Sequence, residues 1–131
     1  MPLSIDSALG LMPDALRLRE QRSELLASNL ANADTPNYKA RDFDFRAALS
    51  SAMTGQGALS TDNPRQLQPA DSQGIGTPVQ YRIPGQPSLD GNTVDSQLEK
   101  AAFSRNAVRY QATLDFLSGR FKGLMTALKG Q

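Results

Sequence analysis

Few side chains in this sequence are equipped for chemistry. Its 131 residues include no histidine and no cysteine. The commonest general base, imidazole and thiolate metal ligands, the thiolate nucleophile and the disulfide are therefore all missing. Asp90-Gly91-Asn92-Thr93-Val94-Asp95 supplies oxygen ligands but lacks the register of a calcium loop, and reads as a turn feeding a helix cap. Gly74-Ile75-Gly76 lacks the further glycine and the helix of a phosphate-binding loop. No candidate nucleophile has a base beside it in sequence. The expectation is a non-enzyme with no catalytic, cofactor-binding or metal-ligating residues and no small-molecule substrate.

What remains is hydrogen-bonding and ionic chemistry on helices. Asn29 and Asn32 fall on a seam of residues alternating four and three apart (Leu11, Ala15, Leu18, Arg22, Leu25, Asn29, Asn32), where leucine would bury more apolar area. A polar residue at a seam fixes register or partner at some cost in stability. Arg17, Arg19, Glu20, Arg22 and Glu24 mix signs, as a solvated face or an ionic contact surface would. Across the chain, 14 Lys and Arg stand against 13 Asp and Glu. That balance lacks the basic footprint of a nucleic-acid binder.

These residues need elements to hold them, and three regions emerge. Residues 1–40 hold a helix, about 6 to 33, followed by an abrupt stop. Pro13 either sits in its first turn or kinks it. Pro36 lacks an amide hydrogen and drives Thr35 extended, while Asn32, Asp34 and Asn37 suit turns. Residues 41–92 form a Pro/Gly-rich middle segment. There Phe43 and Phe45 alternate with charges as a short extended stretch, and 47–53 reads as a brief helix. Val79, Tyr81 and Ile83 make at best a short edge strand between Pro78 and Pro84. The rest of this middle is expected to be poorly ordered in the isolated chain. Residues 93–131 carry the strongest periodicity: Phe103, Ala107, Tyr110, Leu114, Leu117, Phe121, Leu124 and Leu128. Ser96-x-x-Glu99 makes a capping box, with Asp95 as the alternative N-cap.

The expected fold is mostly α, with two long terminal amphipathic helices pairing as a coiled-coil-like hairpin around a middle with little β structure. All three regions make one structural domain. Only 39% of residues are hydrophobic and 6% aromatic, thin for a self-sufficient core. A second stripe, Val108, Ala112, Phe116, Gly119 and Gly123, gives the last helix an apolar character on more than one face. Two glycines four apart suggest close approach by another backbone, and Arg120 and Lys122 between them argue against a bilayer. No run approaches the roughly 18 apolar residues of a membrane span. The opening Met1-Pro2-Leu3-Ser4-Ile5-Asp6 does not read as a secretory signal, so any export is expected to proceed without a cleaved one.

The segment Leu25–Ala40, a helix ending in Asn32-Ala33-Asp34-Thr35-Pro36-Asn37-Tyr38, resembles the N-terminal signature of bacterial flagellar axial proteins, those of rod and hook. Asn63-Pro64-Arg65-Gln66-Leu67, Tyr81-Arg82-Ile83-Pro84 and Pro87–Asp95 come next in order, and with the terminal helix they look like a proximal rod subunit over nearly the whole length. The family commonly has glycine where Asn37 stands; asparagine is the next best residue for a left-handed turn.

The resemblance implies a structural subunit of the flagellar basal body, exported by the flagellar type III apparatus and lying within the base ring and periplasm. Its partners would be other rod subunits, the base-ring and export-gate side of the basal body, and copies of itself. The assembly interface would use Leu25, Asn29, Asn32, Thr35, Pro36 and Tyr38, with Tyr110, Leu114, Leu117, Gly119, Phe121, Gly123 and Leu124 on the terminal helix. The competing expectation is a soluble helical adaptor or chaperone of export that never polymerises.

Overall fold

A computed structural model describes residues 9–54 and 78–130. The expectations for Asn63–Leu67, for the Pro/Gly-rich stretch 55–77 and for the first residues fall outside that range. In chain order the elements are α1 (Met12–Ala31), β1 (Arg41–Asp42), α2 (Phe45–Thr54), β2 (Gln80–Tyr81) and α3 (Ser96–Lys129). The described residues are mostly helical.

Pro13 falls in the first turn of α1, where its missing N–H costs nothing, so no kink is needed. Gly10, at φ 59°, turns the chain just upstream. At the other end Asn32 caps α1, its N–H reaching the Ser28 and Asn29 carbonyls, and its side-chain amide donates to Ser28 O at 2.8 Å. Asp44 sets the start of α2. Its carboxylate accepts from the N–H groups of Arg46 (2.9 Å) and Ala47 (3.2 Å), so the helix begins at Phe45. The expected extended stretch through Phe45 therefore stops early: the N-cap overrides the Phe/charge alternation. β1 and β2 pair antiparallel, with Arg41 opposite Tyr81 and Asp42 opposite Gln80.

In α3 the cap is Asp95, whose Oδ1 accepts from Gln97 and Leu98 N–H at 3.0 and 3.2 Å. Glu99 turns instead toward Asn29 and Arg82, so the capping box does not form. Gly130, left-handed at φ 70°, ends the helix. At 1.5 Å per residue, its 34 residues span about 51 Å.

α1 and α3 pack against each other in opposed directions: Asn29 meets Glu99, while Arg19 meets Asn106 and Thr113. Leu18, Phe43 and Ala48 form a small core under α1, with Leu25, Phe45 and Leu49 around it. The Arg19 guanidinium lies 4.4 Å over the Phe45 ring.

The seam on α3 differs from the apolar reading. Phe103, Tyr110, Leu117 and Leu124 are half-buried where expected, but the alternate positions sit one residue earlier. Asn106 is buried rather than Ala107, and Thr113 is half-buried while Leu114 is exposed. The cause is hydrogen bonding. Asn106 donates to Arg19 O at 2.8 Å and Thr113 Oγ1 accepts from Arg19 Nε at 3.3 Å, so polar side chains hold the interhelical positions. A pattern built from apolar residues alone skips them. Continued backward, the same four-three spacing reaches Glu99, which is fully buried.

Candidate functional site: the helix junction and the outward face of the long helix

Two segments meet where α1 ends and α3 begins: the turn Thr35–Ala40 and the loop Ser88–Thr93. Asn37 adopts a left-handed φ of 60°, a conformation asparagine tolerates better than most residues, and donates its N–H to Asp90 O at 2.9 Å. Thr93 N–H donates to Tyr38 O at 3.0 Å, and Ala40 N–H to Thr93 Oγ1 at 2.8 Å. Gly91, at φ 72°, lies so close that a Cβ there would stand 2.5 Å from Asn37 Oδ1. The buried Asn92 directs its amide nitrogen at the carbonyls of Asn32 (3.0 Å), Ala33 (2.7 Å) and Thr35 (3.0 Å). It thereby ties the turn beyond the Asn32 cap to the loop ahead of α3.

Asn29 is 1% exposed and its amide is fully used. Its Nδ2 donates to Arg41 O (2.8 Å) and Glu99 Oε2 (3.3 Å), while its Oδ1 accepts from Arg41 N–H (3.0 Å) and the Tyr38 hydroxyl (3.4 Å). The side chain thus plays the part of a strand neighbour for β1, mimicking a peptide on one side of Arg41. Tyr38 OH also sits 3.2 Å from Ser28 Oγ.

Below it runs an ion network. Arg22 grips Asp42 through two bonds, Nε to Oδ1 at 3.1 Å and Nη2 to Oδ2 at 2.9 Å. Arg82 bridges from Asp42 Oδ2 (2.7 Å) to Glu99. Burial pushes the Asp42 carboxyl up, but the bonds from Arg22, Phe43 N–H and Arg82 outweigh it and hold the group below its usual value. For Glu99 burial wins over Asn29 and Arg82, and its carboxyl is raised.

The junction gathers Asn29, Asn32, Thr35 and Tyr38, with Pro36 exposed at the turn, while Leu25 packs on the core of Leu18, Phe43 and Ala48. It does not gather the residues expected on α3, which lie farther along that helix. Tyr110, Leu117 and Leu124 are half-buried, whereas Leu114, Phe121, Gly119 and Gly123 are exposed, and a Cβ at either glycine would meet nothing within 4 Å. Val108 (70% exposed) and Phe116 (67%) also face outward. The sequence reading missed Asp42, Arg82, Glu99 and Asn92 as a group. For Glu99 the signal was its place in the four-three spacing; Asp42 and Arg82 carried none, since a two-residue strand pair brings them together.

Residues 14–39 of this chain match the family model described as "Flagella basal body rod protein". The match covers α1 and the turn after it, and its class is that of structural rod proteins of the flagellar basal body. Among curated relatives, the flagellar basal body rod protein FlgB of Escherichia coli (strain K12) is 48% identical, over 95% of each chain. FlgB of Aeromonas hydrophila is 45% identical over 100% of this chain and 99% of its own. That of Salmonella typhimurium is 43% identical over 96% of each. The chain belongs to the FlgB family.

Proposed function

We propose that this rod subunit assembles through the outward face of α3, with the paired α1 and α3 forming a coiled-coil-like hairpin that neighbours extend into the rod wall. The observation that carries the reading is the apolar surface that α3 leaves uncovered. Val108 and Phe116, about 80° apart around the helix, share a face with Gly119 and Gly123, and Met125 and Leu128 are exposed toward the end of a helix far longer than α1. Exposed apolar side chains that share one helix face mark a partner site. Gly119 and Gly123 support it: each costs about 1 kcal/mol of helix stability against alanine, and no described group of the same chain uses the space.

The junction has a complementary task. By tying the end of α1 to the start of α3 it sets which residues of the hairpin point outward. Only residues 55–79 separate α2 from β2, which leaves no room for a large outer domain and suits a proximal place in the rod. Partners in this reading are other rod subunits, copies of this chain, and the base-ring side of the basal body, reached through the flagellar export route. Immunoblotting of detergent-washed basal bodies tests it. Retention of the chain in the washed structures is expected; its loss with the soluble fraction refutes a rod subunit in favour of a transient export adaptor.

A further inference from the structure

Two pairs of like charges on this molecule lack ion-pair partners among the described residues. On α1, Glu20 and Glu24 stand four residues apart and exposed; on α3, Arg105 and Arg109 stand four apart and exposed. The described ion pairs are Arg22–Asp42, Arg82–Asp42 and Arg82–Glu99, and none of the four takes part. Like charges at this spacing destabilise a helix, so each pair is a local fault within one copy.

The arginines belong to a groove of about 310 Å³ between α1 and α3, which Arg19, Arg22 and Arg82 also line. Asn106 lines the same groove; it is 4% exposed, and its Oδ1 has no hydrogen-bond partner among the described residues. Burial, then the neighbouring Arg109 and Arg22, push the Arg19 guanidinium below its usual value, as crowding of positive charge would. The carboxylates present, Asp42 and Glu99, are engaged by Arg22 and Arg82. The groove is therefore short of negative charge. The acidic pair lies elsewhere. At 100° per residue, Glu24 sits about 200° around α1 from Arg22, and Glu20 about as far the other way. Glu24 lines a different recess, with Gln21, Leu25 and Ser28.

We propose that Glu20 and Glu24 of one copy dock on Arg105 and Arg109 of the next. The two patches are opposite in sign, equal in spacing and lie on different sides of the hairpin. Such a contact is heterologous: it repeats from copy to copy rather than closing a two-fold dimer. Copies in a helical rod share one polarity. Since α1 and α3 run in opposed directions within a copy, α1 of one lies antiparallel to α3 of its neighbour, setting Glu24 against Arg105 and Glu20 against Arg109. This inference rests on the proposed assembly into the rod and adds an ionic contact to its apolar one.

Charge reversal tests it in the full chain, expressed in place of the wild type in flagellated cells. Glu20→Arg with Glu24→Arg, and separately Arg105→Glu with Arg109→Glu, should each lower the amount of chain in washed basal bodies by about tenfold or more, because juxtaposed like charges are strongly unfavourable at an interface. All four changes together should restore it. Normal incorporation of either reversed pair overturns the proposal. So does failure of the fourfold variant to recover, which would mean that ridge and groove face different proteins. Thiol pairs give a second reading, free of background because the chain has no cysteine. Glu24→Cys with Arg105→Cys should give a ladder of oxidised multimers from purified basal bodies, and Glu20→Cys with Arg105→Cys much less. Chain present at wild-type level without a ladder from the matched pair overturns the ionic contact alone; absence of the wild-type chain from basal bodies overturns the assembly on which it rests.

Discussion

Replacing Asn29 by leucine pits two effects of opposite sign against each other. Leucine is similar in volume and would add an apolar side chain to the α1–α3 seam, worth about 1.5–3 kcal/mol if fully buried. Against that stands the whole junction. Two neutral bonds to the Arg41 backbone, at 2.8 and 3.0 Å, contribute about 1 kcal/mol each. The bond to the Glu99 carboxylate is charge-assisted but long at 3.3 Å, so about 1.5 kcal/mol is a fair figure. Stripping the partner from the Arg41 N–H and C=O adds a desolvation penalty of about 1–3 kcal/mol. The losses, about 4.5–6.5 kcal/mol in all, exceed the gain, and Asn29→Leu should destabilise the chain by about 1.5–5 kcal/mol net. Urea unfolding of wild type and variant, followed by circular dichroism at matched concentration, measures the difference. A variant as stable as the wild type, or more so, would show that the amide is dispensable and that Asn29 is merely a poor seam residue.

The ion network gives a pH signature. Asp42 is held low in the folded chain, so its contribution is present above the unfolded-state value and lost as pH falls through the folded one; Asp42→Asn should cost about 2–3 kcal/mol at neutral pH, with the gap to wild type closing on acidification. Glu99 is raised, so its contribution is full below the unfolded-state value and lost as pH rises through the folded one; Glu99→Gln should flatten stability against pH just above the usual glutamate range, and an unchanged profile would contradict the buried charge. Gly91→Ala places a Cβ at φ 72° and 2.5 Å from Asn37 Oδ1, and a loss of about 1–2 kcal/mol in urea unfolding is expected. Phe121→Asp should abolish swimming while leaving the isolated chain's helicity intact, since Phe121 is exposed; normal motility in soft agar would mean that this face meets solvent. Gly119→Leu should raise helicity yet block rod assembly, and intact rods at normal yield from such a strain would refute close approach there.

How far the sequence reveals this structure depends on the range of the determining interaction. The stop of α1 before Pro36 and the left-handed Asn37 depend on residues within four positions of each other and are readable, while the start at Met12 and the cap at Asp95 stand in the sequence only as alternatives, to a helix from about residue 6 and to a capping box at Ser96. Val79–Ile83 as a short edge strand is legible from its flanking prolines, although only Gln80 and Tyr81 pair. The α3 seam is half legible. Its apolar half, Phe103 and Leu117, stands out, while Asn106 and Thr113 look like surface residues until the partner helix supplies their bonds. Asn92 is the extreme case: its three acceptors lie 57 to 60 residues upstream, and no local pattern announces them.

That distance has a kinetic consequence. Helical proteins usually fold fast because their contacts are local, but here the turn after α1 is tied down by Asn92, and Asn29 completes its bonding only with Glu99. A chain entering solution end first, from a ribosome or a narrow channel, holds the two halves of the junction apart until about residue 99 has emerged. Before then α1 has only β1 and α2 to pack on, through the small core of Leu18, Phe43 and Ala48, and an isolated helix of 20 residues is only marginally stable in water. The pairing of α1 with α3 therefore waits until most of the polypeptide is free, and the junction closes late.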